Sequence, residues 1–479
     1  MKHEAHAPTR VGVVGSGPNG LAAAIAMAHA GFTTEVREAQ EVLGGACRSL
    51  PLTLPGFVHD FGSAVHPLAA GSPFFRELPL EEHGLKWVHH PAPLAHPLDD
   101  GTAVTLERDL NDAVAALGPD GETWRSMVGP LVEHWDAMAP ELLRPMLHVP
   151  RHPWWMARFG LLAAQPARLL AATLFRTERA RALFGGLAGH SFLSLDAPFS
   201  ATIALVLGSA AHAVGWPIPQ GGSGNLTRAL AGVLAAEGGM LRVGAPVQSV
   251  NDFSEEYDDD TIVLCDVRPA QMVRLAGKRL PEGYARKLRR FRPGPAAFKI
   301  DYALSEPIPW RAADCKRAST VHLGGTLGEI TRSERTMLRG RVPERPFVLV
   351  AQPTLADPTR APEGKHIAWV YCHVPFGSTE DATAQIEAQM ERFAPGFREC
   401  VLARSVSSPQ KLASMDANLL GGDISGGAMD VVQLLLRPTW RNYATPDPHL
   451  FLCSSSTPPG AGVHGMCGYH AAQAALSRW

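Results

Sequence analysis

Residues 11–32, VGVVGSGPNGLAAAIAMAHAGF, admit three readings. They could form the apolar core of a signal peptide, a membrane span, or a strand, glycine turn and helix around a diphosphate. The leader MKHEAHAPTR argues against the first, because it carries Glu4 and mixed charge and no small-residue cleavage pattern follows. Interruption by glycines and Pro18 argues against the second. The third is well specified. Val11, Val13 and Val14 suit a buried parallel strand. Gly15, Gly17 and Gly20 follow as G-x-G-x-x-G, and an alanine-rich helix then runs to a left-handed stop at Gly31. The first glycine permits the tight turn, the second clears the path of the diphosphate and the third lets helix pack on strand. Helix-terminal amides then face the phosphates.

Working outward, the next strand, FTTEVRE, ends in Glu38, about twenty residues on, where an acid binds a ribose hydroxyl. The plainer alternative is a solvated strand-end charge. Arg37 suggests a 2′-phosphate, but the adjoining acid favours plain adenosine. EVLGGACRS comes directly after. Gly44, Gly45 and Arg48 stand where a nicotinamide dehydrogenase would begin its crossover helix. A second glycine pair with a guanidinium predicts another contact to the same diphosphate, against the alternative of an ordinary turn.

The 479 residues leave room for two or three domains, and a formal charge of -2 gives no electrostatic case for nucleic acid. Seven cysteines without short paired spacing read as reduced packing residues of a cytoplasmic protein, with no zinc site and no redox C-x-x-C. The uncharged stretch 197–220 predicts a helix over 200–213, about 20 Å long and too short to span a bilayer, so a buried helix lining a cavity is expected. From Arg151, tryptophans and apolar residues are interleaved with arginines. That pattern fits peripheral membrane contact as well as an ordinary amphipathic surface helix. The acidic run EEYDDD reads as a hairpin tip rather than a calcium loop.

Further on, GWPIPQGGSGNLTRAL leads into an amphipathic helix, then a short strand ending at Val247 and the strand TIVLCDV. The final HLFLCSSSTPPGAGVHGMCGYHAA reads as strand, Pro-Gly turn and terminal helix. Together with GGDISGGAMDVVQLLLRP, these blocks, in this order, resemble the phytoene-desaturase-like FAD oxidoreductases, within the wider amine oxidase and desaturase superfamily. The resemblance implies an α/β fold: a Rossmann-like, glutathione reductase-type FAD domain from 8–70, 215–300 and 430–479, with an inserted α+β substrate domain from 71–214 and 301–429. It also implies ADP contacts at Gly15, Gly17, Gly20, Glu38, Gly45 and Arg48. Adenine would meet the backbone of Val247, and Gly462 and Val463 would lie beneath the isoalloxazine. The implied chemistry is hydride transfer between the flavin and a largely apolar, isoprenoid- or lipid-like substrate, giving dehydrogenation, saturation or isomerisation.

No residue declares itself a base. Asp423 is the first candidate, against a turn residue bonding its own backbone. His464, below the flavin, and His66, at the first insertion boundary, follow; with twenty histidines any single one is weakly specified. Trp216 and Tyr469 read as cavity walls or core. GGTLGEI lacks the flanks of a second dinucleotide site, leaving oxygen, a quinone or another electron acceptor open. Two alternatives stand: a flavin amine oxidase, for which the C-terminal block shows no aromatic pair, and a non-catalytic prenyl- or lipid-binding protein like the Rab GDP-dissociation inhibitors.

Overall fold

The computed structural model describes residues 10–253 and 261–478. The leader and the EEYDDD turn lie outside the described residues. Strand Arg10–Val14 is central in a five-stranded, all-parallel sheet, between Ile262–Cys265 and Thr33–Arg37. Leu450–Leu452 and Met240–Arg242 form the edges. Four of the five residues of Arg10–Val14 are buried, as a strand covered by helices on both faces requires. Helix Pro18–His29 opens with proline at its first turn and is buried over 20–28, wedged against Gly224–Ala236 and Met466–Leu476. Its alanines suit that crowding. Gly468 of the terminal helix sits so close to Asn19 O that a Cβ there would overlap it. Each fully buried Leu, Ile or Phe in this cluster contributes about 1.5–3 kcal/mol.

The predicted strand to Val247 is shorter than expected: it is Met240–Arg242, and Val247 lies in the following loop. Gly244, with φ 62°, stands two residues beyond the strand.

A second, mixed sheet of seven strands carries the other layer, in the order Val401–Ser407, Ala296–Leu304, His366–Val374, Val348–Ala351, Ala318–Leu323, Ala92–Pro97, Ala103–Leu106. Its one parallel pair joins Ala318–Leu323 to Ala92–Pro97 and so stitches the two insertions together. The expected boundary at 300 falls inside strand Ala296–Leu304, all nine residues of which belong to this sheet. The chain therefore leaves the dinucleotide domain before Ala296. Helices Gly121–Glu133, Glu178–Gly189 and Ala201–Ala213 cover one face of the second sheet. Ala201–Ala213 matches the predicted uncharged helix and packs in this core, with Gly208 against Trp124 and Leu205 in the wall of a small apolar pocket beside Phe159 and Leu162. Among the described residues no helix is long and apolar enough to cross a membrane. All seven cysteines are buried and unpaired. GGTLGEI is a helix cap, in which Thr326 and Glu329 form a capping box on Leu327–Leu338.

Candidate functional site

A cleft of about 340 Å³ opens at the carboxyl ends of the parallel strands. Segments far apart in sequence line it: Gly15, Gly17, Glu38, Gly45 and Arg48 from the first, Val247 from the middle, and Gly462 and Val463 from the last. Gly20 stands behind the wall; a Cβ there would overlap Gly15 O, so the turn closes only with glycine. Val463 holds φ 56°, a left-handed conformation that a β-branched residue adopts only under constraint.

Glu38 is fixed by Ser16, whose N–H and Oγ both donate to Oε2 at 2.9 and 2.8 Å, and by Gln40 N, which donates to Oε1 at 2.9 Å. Gly44 N donates to the same Ser16 Oγ, tying the second glycine turn to the first. Carboxylate lone pairs remain for ribose hydroxyls. Arg37 lines the cleft and donates to Glu35 Oε1 and Oε2 at 3.0 and 3.2 Å. Arg48 commits two donors, to Gly45 O and Met415 O, each at 2.8 Å, and keeps others facing the cleft.

Two further acids, Asp266 and Asp416, join Glu38 in the cleft wall. Asp266 Oδ2 accepts from Gly20 N at 3.0 Å, at the N-terminus of the first helix. Burial, with Asp416 and Glu38 nearby, pushes the Asp266 carboxyl up to about 7, and burial raises Asp416 as well. The acids thus hold less charge than their number implies. The cleft fits FAD: a glycine cradle with helix-terminal amides, a fixed ribose acceptor, a guanidinium, and a second glycine turn at the far end.

The three acid–base candidates are each buried and bonded to the chain's own groups. Asp423 is fully buried and saturated. Its Oδ2 accepts from Arg268 at 2.6 Å and Gly294 N at 2.9 Å, and its Oδ1 from Ser425 N and Oγ at 2.8 and 2.7 Å. It anchors the loop, although it touches the cleft. His464 Nδ1 accepts from Met466 N at 3.1 Å, and burial lowers the imidazole to about 3. His66 Nε2 meets Ser223 Oγ at 2.8 Å and burial lowers it to about 4; it lies in neither cavity wall. Trp216 and Tyr469 are packing residues, the first beside His190 and His322, the second against Phe74.

The chemistry-bearing side chains that sequence reasoning missed lie next door. A cavity of about 150 Å³ shares Ala46, Leu419, Ile424 and Val463 with the cleft. Its far wall is the second sheet: Lys299, Trp369 and Tyr371. Register pairs Lys299 with Tyr371 and Asp301 with Trp369, placing all four on one face. Lys299 Nζ is ion-paired to Asp301 and lies 5.7 Å from the Trp369 ring. Burial lowers the lysine and raises Asp301 to about 6, while His59 stands 3.7 Å behind Asp301. The one signal for this pair was its presence as lone charges in the otherwise apolar FKIDYAL.

Residues 13–78 match the NAD(P)-binding Rossmann-like domain. The chain is 26% identical to the rat pyridine nucleotide-disulfide oxidoreductase domain-containing protein 2, over 96% of this chain and 92% of that one. It is 35% identical to hydroxyneurosporene desaturase of Cereibacter sphaeroides over half of each chain. Among solved structures, an oxidoreductase from Methanosarcina mazei superposes with TM-score 0.64 at 18% identity, covering 98% of this chain and 100% of that one. Putrescine oxidase bound to putrescine gives 0.61 at 19% identity, covering 98% and 99%. Fold, cleft and likeness define the class: a dinucleotide-binding, Rossmann-like oxidoreductase, similar in sequence to a carotenoid desaturase over half its length and in fold to flavin amine oxidases. The resemblance to phytoene-desaturase-like oxidoreductases is borne out.

Proposed function

We propose that the chain is an FAD-dependent enzyme that exchanges a hydride with carbon in a largely apolar, isoprenoid- or lipid-like substrate, so desaturating, saturating or isomerising it. The observation that carries this is the largely apolar cavity that adjoins the dinucleotide cleft and shares Ala46, Leu419, Ile424 and Val463 with its wall. Bound in the cleft, FAD supplies the two-electron partner. The chain's own residues do the rest. Glu38, held by Ser16, takes the ribose, and Arg48 and the glycine amides take the diphosphate. Phe61, Leu412 and Tyr371 exclude water from the reacting carbon. Lys299, lowered by burial, holds or takes a proton at Nζ, and Asp301 is the neighbour that shares it. Oxygen or a quinone is the proposed electron acceptor, since the described residues hold one Rossmann-type sheet.

A second reading, an amine oxidase, gains from Trp369 and Tyr371. Their rings stand 4.9 Å apart at 69° in the cavity wall, an aromatic pair supplied by the second sheet rather than by the C-terminal block. Anaerobic mixing with polyenes, fatty acyl compounds and amines decides between them. Flavin bleaching by polyenes or acyl compounds supports the first reading, and bleaching by amines alone overturns it. Lys299→Met is expected to retain flavin and slow its bleaching about 100-fold or more; an unchanged rate removes the lysine from the chemistry.

A further inference from the structure

The segment from Met146 to Leu169 shows the outside of the molecule an unusual surface. Helix Pro153–Ala163 packs inward through Phe159 and Ala163. Its outer face shows Trp154, Ala157 and Leu161, with Trp154 76% and Leu161 73% exposed. The preceding loop exposes Leu147 (69%) and Val149 (90%), and the next helix, Ala167–Leu174, exposes Leu169. A solvated helix face ordinarily carries mixed charges. This one has none of the acids.

The segment's own charge is almost all of one sign, while Glu141, Asp120 and Asp196 from outside it are engaged by His148, Thr177 and Arg168. Residues 144–181 contain seven arginines against a single acid, Glu178, in a chain whose formal charge is -2. That acid is engaged, accepting from Leu327 N at 2.8 Å. Of the seven arginines, Arg168 alone forms an ion pair among the described residues, with Asp196. Arg151 and Arg158 flank the exposed tryptophan and leucine on the same helix or at its entry, and both are exposed.

We infer that this face docks the protein on an anionic lipid surface. Trp154, Leu161, Leu147 and Val149 would enter the headgroup–acyl boundary, and Arg151 and Arg158 would meet the headgroups. Three features select lipid over a protein partner. The exposed apolar side chains, Leu147, Val149, Trp154 and Leu161, line none of the cavities described. A tryptophan sits among arginines, as at membrane interfaces. The surrounding positive charge complements an anionic surface and would repel a second copy of the same face. The inference stands apart from the chemistry of the cleft.

The test is cosedimentation of the full chain with vesicles of phosphatidylcholine alone or mixed with phosphatidylglycerol, read by protein content. Pelleting with the mixed vesicles, weakened by salt, is expected. Trp154→Glu with Leu161→Glu should lower partitioning at least about tenfold without changing circular dichroism or flavin content. A second variant, Arg151→Glu with Arg158→Glu, breaks no ion pair, gives up the exposed hydrogen bond from Arg158 to Ser126 O, and should remove the preference for the anionic vesicles. Failure of the full chain to pellet with either vesicle overturns the inference, as does pelleting of both variants at the wild-type level. A concentration-dependent dimer that ignores vesicles and is split by the first variant also overturns it, assigning the face to a second copy.

Discussion

Glu38 and Asp423 show how differently two buried carboxylates are used. Glu38 is oriented by three N–H or O–H donors of its neighbours and still faces the cleft. Glu38→Ala should therefore weaken FAD retention at least about tenfold, since a hydrogen bond to a charged group is worth about 1.5–3 kcal/mol. Equilibrium dialysis showing full retention would contradict the assignment. Asp423 has its four hydrogen bonds filled by the chain itself. Asp423→Asn leaves Arg268 without its buried partner, and a loss of about 3–5 kcal/mol in urea denaturation is expected, because breaking a buried pair strands a charge. Slowed substrate chemistry with unchanged stability would restore it as a base. An acid among glycines carries no mark of which role it plays. The deciding groups, Arg268 and Gly294, are more than a hundred residues away in sequence.

At the scale of the element, the strand–turn–helix of residues 10–29 was legible because each step has a local cause: valines for a strand covered on both faces, glycines where a Cβ would collide, proline at the first helical turn. The second sheet was not. Its strands pair across 92–407, and Lys299, Asp301, Trp369 and Tyr371 meet only once antiparallel register puts them on one face. The same limit hid Asp266, which follows strand Ile262–Cys265 and caps the first helix through Gly20 N. Its folded carboxyl titrates near 7, against an ordinary value of 3.8, so the folded chain binds this proton more tightly than the unfolded one. The contribution is complete below about pH 4 and is lost as pH rises through about 7. Denaturation midpoints of wild type relative to Asp266→Asn should fall across that window and level off above it. A flat difference would show that the acid is ionised in the fold. Asp301, raised to about 6, adds to the same window in both proteins and cancels in the comparison.

Across the whole molecule, the order of the segments matters more than any one motif. The chain builds half of a parallel sheet, leaves to lay down two strands and a helical layer, returns for two more strands, leaves again for five strands, and returns to finish the sheet with Leu450–Leu452. Each return brings one side of the cleft: Val247 on the first, Gly462 and Val463 on the second. Each departure brings a wall of the adjoining cavity or the helices that seal it. Residues separated by more than four hundred positions thus line one cleft, and on the proposed function a single dinucleotide is what all three segments hold. The visible absorption spectrum of the purified full chain tests this most directly. A yellow protein carrying stoichiometric FAD, with the colour lost in Glu38→Ala, is the expected result. A colourless chain that refuses added FAD would contradict it and favour a prenyl- or lipid-binding protein without redox chemistry.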